Sequence, residues 1–161
     1  MYSGIPFTQY YLLRVLIVNI ISYILYSILY FGLFKKAGIE SSKAFIPYYR
    51  IYVLYKMIDL SDVWFWITVA VSVVNYSIDA FNAFVFINLG IFATVINVAI
   101  LAVSIIYGIL VADQLGNSFG KKTGFKVGYF FLPVIFGMIL GFGKSKYIGP
   151  NGVKIKKKKK G

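Results

Sequence analysis

Two aspartates stand at the ends of apolar runs, where an acid is costly and has to be explained. Asp113 closes the run that ends at Val111, beside a glycine-rich stretch that carries Lys121 and Lys122. There it could hold a cation, a proton or a basic partner, or simply pair with lysine at a helix end. Asp79 closes another run, with Thr68, Ser72 and Asn75 behind it at spacings of 4, 3 and 4. That spacing places the four on one helical face. Such a seam suits ion or proton passage, and equally suits hydrogen bonding between helices. Asn97 belongs to a third series, Gly90, Thr94, Asn97, Leu101, Ser104 and Gly108, which is small or polar except at Leu101. Small residues let helix backbones approach closely, so packing is the first reading of that stripe. Arg50 and Tyr52 lie in a tyrosine-rich stretch, and Arg50, Lys56 and Lys144 could bind phosphate headgroups.

Other chemistry is missing. The chain has no histidine and no cysteine. It therefore lacks the commonest general base, thiolate metal ligands and disulfides. Gly116, Gly120 and Gly124 do not have the spacing of a phosphate-binding loop. No catalytic set, metal or cofactor is expected.

The elements that must position these residues are apolar helices. Of 161 residues 60% are hydrophobic and only 14% charged, against about a quarter charged in ordinary soluble domains. Mean hydropathy is +0.79. The first apolar run, about 10–34, is long enough to span a bilayer and is interrupted only by Arg14, which can snorkel. Asn19, Ser22, Tyr26 and Tyr30 share one face of it. Residues 35–61 mix tyrosine, lysine and aliphatic residues, as a helix lying in the membrane interface would, with a start near Pro47. A second span is expected over 63–80, opening on Trp64 and Trp66. A short turn follows over 80–83, and then a third span over 84–111. Residues 113–126 read as a polar loop. The last apolar segment, 127–142, is short and broken by Pro133, Gly137 and Gly141.

Charge sets the orientation. Of the 17 basic residues, Lys35, Lys36, Lys43, Arg50 and Lys56 lie in the first connector and Lys121, Lys122 and Lys126 in the second. The tail from Gly143 adds eight lysines, five of them consecutive from Lys156 to Lys160. The positive-inside rule puts both connectors in the cytoplasm and the N-terminus outside. If 127–142 enters and returns, the tail is cytoplasmic too; if it crosses, the tail is outside. The returning form keeps every basic segment on one side. Lys156, Lys157, Lys158, Lys159 and Lys160 can then bind anionic headgroups, at roughly 1 kcal/mol each. The expected architecture is an all-α integral membrane helical bundle with three transmembrane helices. It adds an interfacial helix and a short fourth span or re-entrant hairpin, in one domain over 1–147 with a basic disordered tail over 148–161.

Two stretches carry a resemblance. Phe45–Lys56, FIPYYRIYVLYK, is similar to an Ile-Pro-x-Tyr-Asn-x-Tyr pattern, with Arg50 where asparagine is usual. Phe119–Tyr147, FGKKTGFKVGYFFLPVIFGMILGFGKSKY, is similar to an FGK-x-TGF…FLP…ILGFG…KY ending. Both patterns belong to an uncharacterised family of small bacterial multi-pass membrane proteins, often labelled signal peptidase I by automated naming. The resemblance implies a bacterial cell membrane and no known activity. A Ser-Lys peptidase needs its serine and a deprotonated lysine together on the outer face, whereas the topology above keeps every lysine cytoplasmic or interfacial.

The function expected from these features is non-enzymatic. The protein would act by binding within the membrane, as an accessory, regulatory or immunity-type protein. Its partners would be a bilayer with anionic headgroups and another membrane protein or a second copy, with no specific nucleic acid. A small oligomeric transporter or channel using Asp79 and Asp113 is the alternative, and an enzyme acting on a lipid or peptide is the third reading.

Overall fold

The computed structural model describes the backbone of residues 7–85 and 90–153, and the side chains of 13–78 and 94–153. All regular elements among them are helical: α1 (Phe7–Ala37), α2 (Tyr49–Ile58), α3 (Asp62–Val85), α4 (Gly90–Ser118), α5 (Thr123–Phe131) and α6 (Pro133–Phe142). Short 3₁₀ turns occupy Ser41–Phe45 and Pro150–Gly152. Two stretches are long and apolar enough to cross a membrane, Leu13–Ala37 and Thr94–Ser118, with mean hydropathy 2.0 and 2.6. Only 22% and 11% of their most apolar windows are buried inside the protein, so neither is the core helix of a soluble fold. The described apolar part of α3, Asp62–Ile78, is shorter.

Among the described side chains, burial is confined to one end of the molecule. In α1, Leu29, Tyr30, Leu33 and Phe34 are buried, whereas Leu16, Val18 and Ile21 higher up are about half exposed. In α4, Val111, Ala112 and Leu115 are buried, as is Phe119 just after it, whereas Val95, Val98 and Leu101 are exposed. The buried end is closed by α2, whose Val53, Leu54, Tyr55, Met57 and Ile58 fill the space between α1 and α4.

Three local expectations are corrected. No turn occurs at 80–83: α3 continues to Val85, because residues 80–85 hold no glycine or proline to stop it. Most of the loop expected over 113–126 is helix. Ala112, Leu115, Gly116 and Phe119 recur at helical spacing on the packed face, and this periodicity outweighs the polar composition. The helix stops only at Gly120, whose φ of 63° is left-handed. Its amide donates to Asn117 O (2.9 Å) while that of Lys121 donates to Gly116 O (2.8 Å), the paired closure of a Schellman motif. The first part of the segment expected as free tail from residue 148 is docked on α4, through Gly152. Ile148 N donates to Ser118 O (2.8 Å), Asn151 N to Ser118 Oγ (3.0 Å), and Asn117 Nδ2 to Asn151 Oδ1 (2.9 Å).

The 123–142 segment is two helices broken at Leu132, where Pro133 removes an amide donor and starts α6. Phe125 and Phe136 stack edge to face at 5.0 Å. Residues eleven apart in a straight helix would lie about 16 Å apart along its axis, so the chain has turned back on itself. Helix α5 runs antiparallel to α4: Lys126 meets Asp113 (2.7 Å), and Phe130 packs over Gly108. Helix α6 then runs parallel to α1, with Leu29 against Gly137 and Gly32 against Gly141. The start of α5 and the end of α6 therefore lie at the same packed end of the molecule.

Candidate functional site

Helices α1 and α4 do not close against each other. Between them, bounded by the α5–α6 bend, lies a cavity of about 320 Å³. Tyr26 and Tyr30 of α1, Ser104 and Tyr107 of α4, and Tyr129 of α5 line it. Tyr26 and Tyr30 come from the polar face legible in α1; Ser104 and Gly108 come from the lower end of the α4 stripe. Tyrosine rings at such positions offer apolar walls with hydroxyl ends. Below the cavity the aromatic packing continues, with Tyr55 beside Tyr107 (5.9 Å) and the Tyr55 hydroxyl bonded to Thr68 Oγ1 (2.9 Å).

Arg50 stands on the other side of Tyr30. Its guanidinium lies over the rings of Tyr23 (4.9 Å) and Tyr30 (5.6 Å). Nη1 donates to Ser27 Oγ (2.9 Å) and, at 3.5 Å, to Tyr23 O. Ser27 is 2% exposed, so the anchor is fixed from the core side. Tyr52, two residues beyond Arg50 and so on nearly the opposite side of α2, packs against Phe65 (5.5 Å) and carries Lys56 Nζ over its ring (5.4 Å). Arg50 and Tyr52 are neighbours in sequence that serve different contacts.

The other expected site residues are dispersed. Asp113 pairs with Lys126 Nζ (2.7 Å), not with Lys121 or Lys122, and accepts from Asn117 Nδ2 (3.1 Å). It is exposed at the packed end, away from the cavity. Asn97 is exposed high on α4. Asp79 lies within α3, with its side chain outside the described residues, and Lys156–Lys160 are outside them altogether. Among the described residues no cluster of acidic side chains could hold a metal ion.

Lys36 escaped the sequence reading. Its Nζ donates to three carbonyls, Leu140 (2.6 Å), Gly143 (2.5 Å) and Ser145 (2.8 Å), and so caps α6 from α1. Tyr147 closes the same end by donating to Met57 O (2.5 Å). Its phenol is pushed up to about 12, first by burial and then by the Asp59 carboxylate.

The family of unknown function DUF5684 has a model that matches residues 42–150. The chain belongs to this family. The matched region opens at the first 3₁₀ turn, covers α2 to α6 and ends where the chain docks on α4. Helix α1, which supplies Tyr23, Ser27 and Tyr30, precedes it. No curated protein and no solved structure matches the chain.

Proposed function

We propose that this member of DUF5684 is an integral membrane protein of the bacterial cell membrane that acts by binding, in the manner of an accessory, regulatory or immunity-type protein, and not by catalysis. In this reading α1, α3 and α4 are the three spans of the bundle. The N-terminus lies outside, and the packed end with Lys35, Lys36, Lys121, Lys122 and Lys144 lies at the cytoplasmic headgroups. The α5–α6 hairpin enters from that side and returns. Its outward Phe131, Ile135, Ile139 and Phe142 are exposed apolar side chains that lipid would cover.

The observation that carries the binding reading is the tyrosine-lined cavity. An end packed as tightly as this one still holds α1 and α4 apart around about 320 Å³. Aromatic walls with a few hydroxyls suit a membrane-embedded ligand that is apolar with a hydrogen-bonding end. The enzymatic alternative finds no nucleophile–base pair there. The transporter alternative loses support from Asp113, which is engaged by Lys126 at an exposed position.

A photo-cross-linking amino acid at Ser104, with the same probe at exposed Val98 as control, tests this in cells. The expected result is a single defined adduct from the cavity position and only scattered lipid adducts from Val98. Identical adduct patterns from both positions would overturn the binding reading.

A further inference from the structure

The cavity is lined by hydroxyls that the protein leaves unanswered. Tyr30 and Tyr129 are buried, at 9% and 7% exposed, and Tyr26 is half-buried. None of the three hydroxyls makes a hydrogen bond among the described residues. The sealed polar atoms without a partner are others, Arg50 Nε and Gln114 Oε1. These phenols therefore reach open space, and the space beside them is the cavity. Ser104 Oγ already donates to Ile100 O (2.8 Å). The walls thus offer an occupant phenol donors on aromatic rings, with no charged side chain in the lining.

Water alone fills this space poorly. About 320 Å³ is room for roughly ten waters, and each buried water needs two to four polar partners. Four phenols and one serine cannot order so many. A buried hydroxyl left unpaired costs about 1–3 kcal/mol, so an occupant with polar atoms of its own is favoured. Arg50 sets the kind of atom. Its guanidinium lies 5.6 Å from the Tyr30 ring centre, and its protein acceptors, on Ser27 and Tyr23, are neutral. A positive charge against the ring draws density from the phenol and strengthens its O–H as a donor. The same charge repels a cationic ligand. The complementary group is an acceptor oxygen, such as a carbonyl.

Depth separates the lipids that carry one. Tyr30 and Tyr26 lie about 9 and 15 Å along α1 from Lys36, which stands at the headgroups in the placement proposed above. Glycerolipid ester carbonyls stay at the headgroup boundary, outside the hydrocarbon core. A quinone is neutral, carries its carbonyls on a flat ring and enters the hydrocarbon. That ring suits aromatic walls, and the volume takes a ring without a whole lipid. The lining reaches Pro133 at the α5–α6 bend, beside the exposed Phe131 and Leu132. An isoprenoid tail leaving there lies on surface that lipid covers.

We propose that the tyrosine cavity binds the ring of a membrane quinone, with the hydroxyls of Tyr30 and Tyr129 donating to its carbonyl oxygens. The assignment rests on the binding reading and the membrane placement above, and gives that reading a ligand class.

Binding of a radiolabelled naphthoquinone with a short isoprenoid tail to the full chain in neutral detergent tests it. The competitors are the unlabelled quinone, the same skeleton without carbonyls, and diacylglycerol. Saturable binding at one site is expected, with the carbonyl-free skeleton competing at least about tenfold more weakly. Tyr30→Phe with Tyr129→Phe keeps both rings and is expected to weaken the quinone about tenfold, without changing the carbonyl-free competitor. Tyr76→Phe, at a tyrosine 68% exposed and outside the cavity, is expected to change nothing. Absence of saturable binding, or equal competition by the carbonyl-free skeleton, overturns the proposal. Competition by diacylglycerol as strong as by the unlabelled quinone overturns the quinone as the source of the carbonyl. These competitions use the wild-type chain, so they hold even where the double variant does not fold. A defined Ser104 adduct of another kind, with no quinone bound, would overturn the quinone and leave the binding reading standing.

Discussion

Lys36→Met is expected to lower the stability of the packed end by about 3 kcal/mol, because a charged donor bonded to main-chain carbonyls contributes roughly 1.5–3 kcal/mol and its loss strands its acceptors. Three carbonyls, of Leu140, Gly143 and Ser145, share the Lys36 ammonium. They are the free acceptors at the end of α6, where the helix dipole also favours a cation. Methionine keeps the length of the stem and removes only the charge and donors. Lys35→Met, at an exposed neighbour, is expected to change stability by less than about 0.5 kcal/mol. Thermal unfolding in detergent, followed by the fluorescence of Trp64 and Trp66, measures both. Equal stability of the two variants would show that the carbonyls are satisfied without Lys36.

Gly141→Leu is expected to cost about 3 kcal/mol, at the upper end of ordinary overpacking. A Cβ at Gly141 would lie 3.2 Å from the Cα and carbonyl carbon of Gly32 and 3.3 Å from Leu33 N. All three are backbone atoms, so no side chain can turn aside and α1 and α6 must separate. The reverse holds at Gly32, where a Cβ would meet Gly141 Cα at 3.0 Å. This reciprocal approach of two glycines is the close backbone packing that small residues permit between helices. Gly124→Ala in α5 is the matched control: a Cβ there meets nothing within 4 Å, and alanine in a helix is favoured by about 1 kcal/mol. Gly124→Ala is expected to be neutral or stabilising in the same unfolding measurement. Destabilisation of similar size at both positions would remove the case for a tight α1–α6 seam.

The helices were largely legible in the sequence, and their partners were not. Apolar length gave the long helices but not the ends of α3 and α4, since a run of apolar residues is a local property of composition. The polar face of α1 carried Tyr26 and Tyr30 to the cavity because helical periodicity is local as well. The α4 extension through Asp113 was missed where glycine and charge masked the Ala112, Leu115 and Phe119 repeat. Gly137 and Gly141 read as breakers, yet in the fold they are contact points, which only the position of Leu29 and Gly32 reveals. Lys36 meets its acceptors more than 100 residues away in sequence, beyond any spacing pattern. Arg50 stood out as a departure from the family pattern, but Tyr23 and Ser27 lie one helical step off the face that was read, and nothing local joins them to α2.

The central claim is a membrane bundle with all its basic segments on one side, which requires the α5–α6 hairpin to enter and return. The chain has no cysteine, so single cysteines report position without background. Lys122→Cys precedes α5, Ser145→Cys follows α6, and Asn88→Cys lies between α3 and α4. A membrane-impermeant maleimide added to intact cells is expected to label Asn88→Cys alone, and to label Lys122→Cys and Ser145→Cys only after the membrane is opened. Labelling of Ser145→Cys from outside, with Lys122→Cys protected, would contradict the hairpin and make 123–142 a fourth crossing.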